Sequence, residues 1–162
     1  MNVYTIAFFG HRQIDDITTL ERRLEELIKE HLLCDEYVVF LVGRNGEFDL
    51  AVSSTIRRLK HLLRNDNSTL TLMLPYLTEE YRHNQESFEN YYDEIELCNE
   101  SSNSHFKKAI TIRNQHMIDR ADLVVVYIEH NSGGAYTASR YAKSQKKPVI
   151  NLANYAEKLR KP

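Results

Sequence analysis

The sequence has only two cysteines, Cys34 and Cys98, in 162 residues. That is too few for a disulfide framework or a cysteine-built zinc site. There is no tryptophan against ten tyrosines, an imbalance that points to no particular function. No long uninterrupted apolar run is present, so no membrane partner is expected. The opening MNVYTIAFFGHR lacks the charged start and small-residue cleavage site of a secretory signal. Excess charge is also missing. Lys and Arg number 21 against 23 Asp and Glu, a formal net charge of −2, which removes the usual reason to expect a nucleic-acid partner. Repeats, low-complexity tracts and linkers are absent as well. What remains is the profile of a soluble cytoplasmic protein. Its length favours one domain over 1–162 and allows roughly two-thirds of the unfolded surface to be buried.

What is there alternates between two periods. VYTIAFFG (3–10), YVVFLVG (37–43), STLTLMLPY (68–76), ADLVVVYI (121–128) and KPVINLA (147–153) are short runs rich in β-branched and aromatic residues, and read as five strands. Between them, Ile17, Leu20, Leu24, Leu27 and Ile28 mark one face of a helix, with Thr18 and Glu21 in capping-box spacing. Phe48, Val52, Ile56, Leu59 and Leu63 mark a second, and residues 134–145 a third. Nearly continuous apolar strands alternating with helices predict an α/β, Rossmann-like three-layer sandwich. Its five-stranded, mostly parallel sheet carries helices on both faces. The polar, acidic, tyrosine-rich stretch 77–104 reads as a lid-like insertion.

Ligands of open parallel sheets bind at the carboxyl ends of the strands, so the residues that follow the strands are the candidates. They are Gly10, His11 and Arg12; Gly43, Arg44, Asn45, Gly46 and Asp49; and Ser132, Gly133, Gly134, Ala135 and Thr137. Glycines let a backbone approach a ligand, and helix N-termini offer free N–H groups to an anion. His11 and Arg12 are either phosphate contacts or a solvated turn. Asp49 either orients a ribose hydroxyl or, more simply, helps cap the second helix. Glu47 reads as a solvated first-turn residue. In FKKAITIRNQHMIDRAD, Phe106, Ile110, Arg113 and Met117 share a stripe, and a guanidinium among apolar residues needs an anionic partner. That partner is a ligand phosphate or a protein carboxylate. His61, His105, His116 and His130 show no ligand spacing, so no metal is expected. No nucleophile motif, Walker loop or dinucleotide fingerprint is present, and no cofactor is expected.

TIAFFGHR, GRNGEFD, ITIRNQHMIDRADLVVVYI, SGGAYTA and KPVINLA, in that order, resemble the SLOG superfamily, Rossmann-like proteins related to the LONELY GUY phosphoribohydrolases. The resemblance implies an arginine-bearing helix, a strand and then a Pro-Gly-Gly-x-Gly-Thr-x-x-Glu loop that cleaves nucleoside 5′-monophosphates. Arg113 falls on the catalytic arginine and Asn114 where a lysine stands. Met117, Gly133, Gly134 and Thr137 match; Ser132, Tyr136 and Arg140 replace the proline, the third glycine and the catalytic glutamate. An arginine in that place opposes the positive charge that builds on the ribose as the glycosidic bond breaks.

The favoured expectation is therefore a binding module that holds a nucleotide or ADP-ribose-like small molecule, as a sensor or sequestering protein, with no nucleic-acid partner. The alternative is a phosphoribohydrolase whose acid, Glu129, Glu47 or Asp49, comes from a neighbouring loop, with Arg113 catalytic. A third reading is an interaction protein with a vestigial pocket. Ala135, Ala138 and Ala142 form a small-residue face that packs on the sheet or on a second subunit, and the family implies a homodimer.

Overall fold

A computed structural model describes residues 1–154. The expected domain runs to residue 162, and its end, 155–162, lies outside the described residues. The chain runs β1 (Val3–Gly10), α1 (Ile17–Cys34), β2 (Tyr37–Val42), α2 (Glu47–Leu62), β3 (Ser68–Leu74), α3 (Glu79–His83), α4 (Gln85–Tyr91), β4 (Glu94–Leu97), α5 (Phe106–Arg120), β5 (Leu123–Tyr127), α6 (Gly134–Ser144) and β6 (Val149–Asn151), then a 3-10 turn at Leu152–Asn154.

The strands form one six-stranded sheet in the order β4-β3-β2-β1-β5-β6, and every pairing is parallel. The strand order reverses between β1 and β5, which pair from Ile6↔Leu123 to Gly10↔Tyr127. Their carboxyl ends therefore open side by side at the switch point.

The expected architecture stands, with one strand more than expected. The sixth strand, β4, lies inside 77–104 together with α3 and α4. It pairs with β3 from Thr71↔Glu94 to Leu74↔Leu97. Its sequence, EIEL, is short and half acidic, which an edge strand tolerates because one side meets water.

Alternation along the strands divides the apolar residues between two cores. Ile6, Phe8, Phe40, Val42, Val125 and Tyr127 pack with α1 and α2 on one face. Ala7, Phe9, Leu41, Val124 and Val126 pack with α5 and α6 on the other. Burial on both faces is why these strands read as unbroken apolar runs rather than as alternating ones. Ala135, Ala138 and Ala142 belong to the second core, so the small-residue face serves packing within the chain.

Three local expectations change. The cap of α1 is Asp16, which accepts from Thr19 N at 3.1 Å and Thr19 Oγ1 at 2.6 Å; Thr18 lies inside the first turn. Phe106, at the start of α5, is exposed, and the buried stripe begins at Ala109. Glu47 is not simply solvated, because its Oε2 accepts the Ile14 amide at 2.6 Å. No described helix is long and apolar enough to cross a membrane.

Candidate functional site

At the carboxyl edge of the sheet a cleft of about 570 Å³ opens between the loops after β1, β2 and β5 and the middle of α5. It gathers most of the sequence candidates: Gly10, His11, Arg12, Gly43, Asn45, Asp49, Arg113, Asn114, Gly133, Gly134 and Ala135 all line it. Four candidates stand elsewhere. Arg44 turns to the neighbouring elements, ion-paired with Glu80, hydrogen-bonded to Tyr92 Oη at 3.1 Å and stacked over the Phe88 ring at 4.8 Å. Gly46 is covered by the backbone of Arg12. Ser132 Oγ lies 2.9 Å from His130 Nδ1. Thr137 Oγ1 turns back to donate to Gly133 O at 3.1 Å.

Two backbone ties fix the loops after β1 and β2 to each other. Glu47 N donates to Arg12 O at 2.9 Å, and the Glu47 carboxylate returns the contact through Ile14 N. Asp49 completes the second loop. It lies in the first turn of α2 and accepts the Asn45 amide at 2.8 Å, the backward reach of a capping carboxylate. Asp49 is buried, and burial raises its pKa against the opposing pull of the Asn45 amide and Arg113.

Arg113 is 3 % exposed. Its Nη1 donates to Met73 O and its Nε to Asn114 Oδ1, each at 3.1 Å. Asp49 faces it across Gly43, whose Cβ, if present, would stand 3.1 Å from both Arg113 Nη1 and Asp49 Oδ2. Among the described residues, Arg113 makes no ion pair at N–O distances up to 4.0 Å. Its burial lowers its pKa, and Asp49 opposes that shift most. The guanidinium is hydrogen-bonded to neutral acceptors, has the buried Asp49 as its facing charge and lines the cleft, a setting that can take a further anion.

The loop after β5 is held by a pair of imidazoles. His11 and His130 stack at 3.9 Å with planes 6° apart, and His11 Nε2 accepts the Glu129 amide at 2.9 Å. Accepting that hydrogen bond requires a neutral ring. Burial first, then His130, lowers the His11 pKa. Glu129 accepts from Tyr127 Oη at 2.8 Å, and burial, then this carboxylate, pushes the Tyr127 phenol up to about 12. Gly133 then turns the chain into α6 with φ +91 and ψ 177, a conformation that essentially only glycine adopts. A Cβ on Gly133 or Gly134 would meet nothing within 4 Å, and among the described residues no side chain caps the start of α6.

The lining also includes His130, Gln13 and Asp15, which are not among the sequence candidates, and Glu129, expected only as a replacement acid. Glu129 and His130 lie two and three residues after the end of β5, and that position is the usable signal. Arg140, in the place of the expected catalytic glutamate, is exposed on α6 over the Tyr136 ring at 5.9 Å, and it does not line the cleft.

No known family's sequence profile matches the chain, and no curated protein does. Solved structures do. DNA processing protein A from Helicobacter pylori, described for its single-stranded DNA binding mode, superposes with a TM-score of 0.65 at 15% identity, over 96% of this chain and 72% of that one. DNA processing protein A from Streptococcus pneumoniae gives 0.63 at 14% identity, over 91% of this chain and 49% of that one. This chain thus spans about half the length of the pneumococcal protein. Likeness at such identity shows the Rossmann-like fold.

It also corrects two expectations. A small nucleotide or ADP-ribose-like ligand, with the hydrolase alternative, and the exclusion of nucleic acid both give way, because the matched fold belongs to proteins of DNA processing, one described as a single-stranded DNA binder. Net charge does not exclude nucleic acid, for a physical reason. The sum of −2 averages over the whole surface, whereas phosphate contact depends on the few cations at one edge.

Proposed function

We propose that this chain binds single-stranded DNA across the carboxyl edge of its sheet. One observation carries the reading: the uncapped, uncrowded start of α6 at Gly133 and Gly134 shares a cleft with Arg113, a buried guanidinium that faces Asp49 but makes no close ion pair among the described residues. Amides and guanidinium both recognise phosphate oxygens. Arg12 is exposed at the rim and adds a second cation. His130, exposed and stacked on His11, offers a ring face to an unpaired base, as stacking platforms do in sequence-tolerant binders of single strands. The neighbouring acids Asp15 and Glu129 limit the attraction to a few phosphates. The SLOG resemblance, a cytoplasmic location and one domain over 1–162 belong to the same proposal.

The test is fluorescence anisotropy with a labelled single-stranded oligothymidylate and a duplex of the same length. The single strand is expected to bind more tightly than the duplex, with a log–log salt slope of about −1.4 to −2.1, as for two or three phosphate contacts. No anisotropy change at low salt, or tighter binding of the duplex, overturns the proposal.

A further inference from the structure

Outside the cleft, the end of β4 meets α5. Cys98 follows β4 directly, and its amide donates to Leu74 O at 2.9 Å. The chain then turns tightly: Ser101 N and Ser102 N both donate to Cys98 O, at 3.2 and 3.1 Å. The buried Ser101 hydroxyl anchors the turn to Pro75 O at 2.5 Å. This turn brings Glu100 back beside Cys98, with Sγ to Oε2 at 3.4 Å. From α5, His116 presents Nδ1 3.7 Å from the same Oε2. The three ligand atoms lie within 4.8 Å of one another.

We propose that Cys98, Glu100 and His116 form a site for a divalent transition metal of the zinc class. Zinc bonds of about 2.3 Å to sulfur and 2.0–2.2 Å to nitrogen and oxygen, at tetrahedral angles, put ligand atoms roughly 3.4–3.6 Å apart. The Cys98–Glu100 separation of 3.4 Å lies in that range, the His116–Glu100 separation of 3.7 Å just above it and the third at no more than 4.8 Å, so small side-chain rotations close the set. The donor set selects the metal. A thiolate and an imidazole suit zinc, cobalt or nickel, whereas magnesium and calcium take all-oxygen shells. A free buried cysteine normally behaves as a small hydrophobe, but here its thiol donates to a carboxylate that is 60% exposed. Metal thus enters from the Glu100 and His116 side, and three protein ligands leave a fourth position to water.

On binding, the Cys98 thiol releases its proton to solvent as the sulfur–metal bond forms, and His116 donates its Nδ1 lone pair as a neutral ring. No oxidation is involved. The metal ties the turn after β4 to α5 one helical turn beyond Arg113, so it anchors the helix that carries the buried guanidinium. Sequence spacing does not show the set, because Cys98 and His116 are brought together only by an edge strand that the sequence reading did not find.

Cobalt(II) titration of the full chain tests the site, since thiolate ligation gives a near-ultraviolet charge-transfer band and tetrahedral cobalt gives intense visible bands. Exposed Cys34 is the competing thiol, so the titration is run in wild type, Cys34→Ser, Cys98→Ser, Glu100→Gln and His116→Asn. We expect saturation at one equivalent in wild type and Cys34→Ser, reversal by zinc, loss of the charge-transfer band in Cys98→Ser, and at least tenfold weaker binding in Glu100→Gln and His116→Asn. The last two alter partly exposed side chains and are expected to fold. A zinc-dependent rise in Tm, absent from Cys98→Ser, gives a second readout. A band that survives in Cys98→Ser but vanishes in Cys34→Ser, or no saturable binding in wild type, overturns the proposal.

Discussion

The five glycines divide into two kinds, and the division separates the two halves of the cleft. In the loops after β1 and β2 they are closed in by their own chain. A Cβ on Gly10 would stand within 2.6 Å of three atoms of the Phe48 ring, one on Gly46 would stand 2.5 Å from Arg12 Cα, and one on Gly43 would wedge between Arg113 and Asp49. After β5, a Cβ on Gly133 or Gly134 would touch nothing. The first half is therefore a packed wall that locates Arg113. The second is an open rim at the uncapped start of α6. In sequence both look like ligand loops; in space one is built for packing and the other for access.

The largest effect expected from breaking this contrast is on the wall. Gly10→Ala should destabilise the fold by about 2–3 kcal/mol through overpacking on Phe48, a Tm loss of roughly 5–10 °C in a thermal melt. Gly46→Ala should behave similarly, because its neighbour is backbone that cannot rotate aside. On the rim, Gly133→Ala should cost about 1–2 kcal/mol for its φ alone. An equal loss at Gly134→Ala would erase the distinction between wall and rim.

Next comes the guanidinium. Arg113→Met keeps the stem and removes the charge, and should weaken single-strand binding about tenfold, near 1.4 kcal/mol. Stability should fall as well, by about 1–3 kcal/mol, since Met73 O and Asn114 Oδ1 lose their donor and buried Asp49 loses its nearby cation. Anisotropy beside a urea melt separates the two. Unchanged affinity would remove Arg113 from the phosphate contacts.

Gly134→Ala sharpens the contrast most. Its position opens α6, where alanine is the better helix former by up to about 1 kcal/mol, so Tm should hold or rise. The added methyl enters the open rim, so affinity should fall several-fold. A variant more stable yet weaker in binding is the signature of a glycine kept for access.

The smallest effect concerns the imidazole pair that joins the two halves. The His11 pKa lies below its ordinary value, so as pH falls through about 6.5 the unfolded chain takes up the proton first. The stability due to neutral His11 is complete above that pH and is lost as pH drops toward the folded pKa. Urea midpoints at pH about 7.5 and about 5.5 should therefore fall further in wild type than in His11→Gln. An equal fall in both would assign the titration to other groups.

The parallel core was legible in the sequence because burial on both faces writes each strand as a continuous apolar run, as in LVVVY of β5. The edge strand was not, since Glu94 and Glu96 interrupt Ile95 and Leu97. Arg113 was legible as a cation on an apolar stripe. The direction of Arg44 was not, because its partners, Glu80, Phe88 and Tyr92, belong to or flank α3 and α4, which sit in the stretch read as a lid. Nor does a glycine reveal from sequence whether its missing side chain makes room for a neighbour or for a ligand.

The account is tested most directly by amide chemical shifts. In a ¹⁵N-labelled sample titrated with a short single-stranded oligothymidylate, the largest shifts should fall on Gly133, Gly134 and Ala135, with Asn45 next and the Arg113 side chain moving with them. Amides at the opposite edge, such as Asn2, Glu36 and Asp122, should stay in place. Shifts confined to that opposite edge, or saturating binding that leaves Gly133 and Gly134 unmoved, would contradict the central claim.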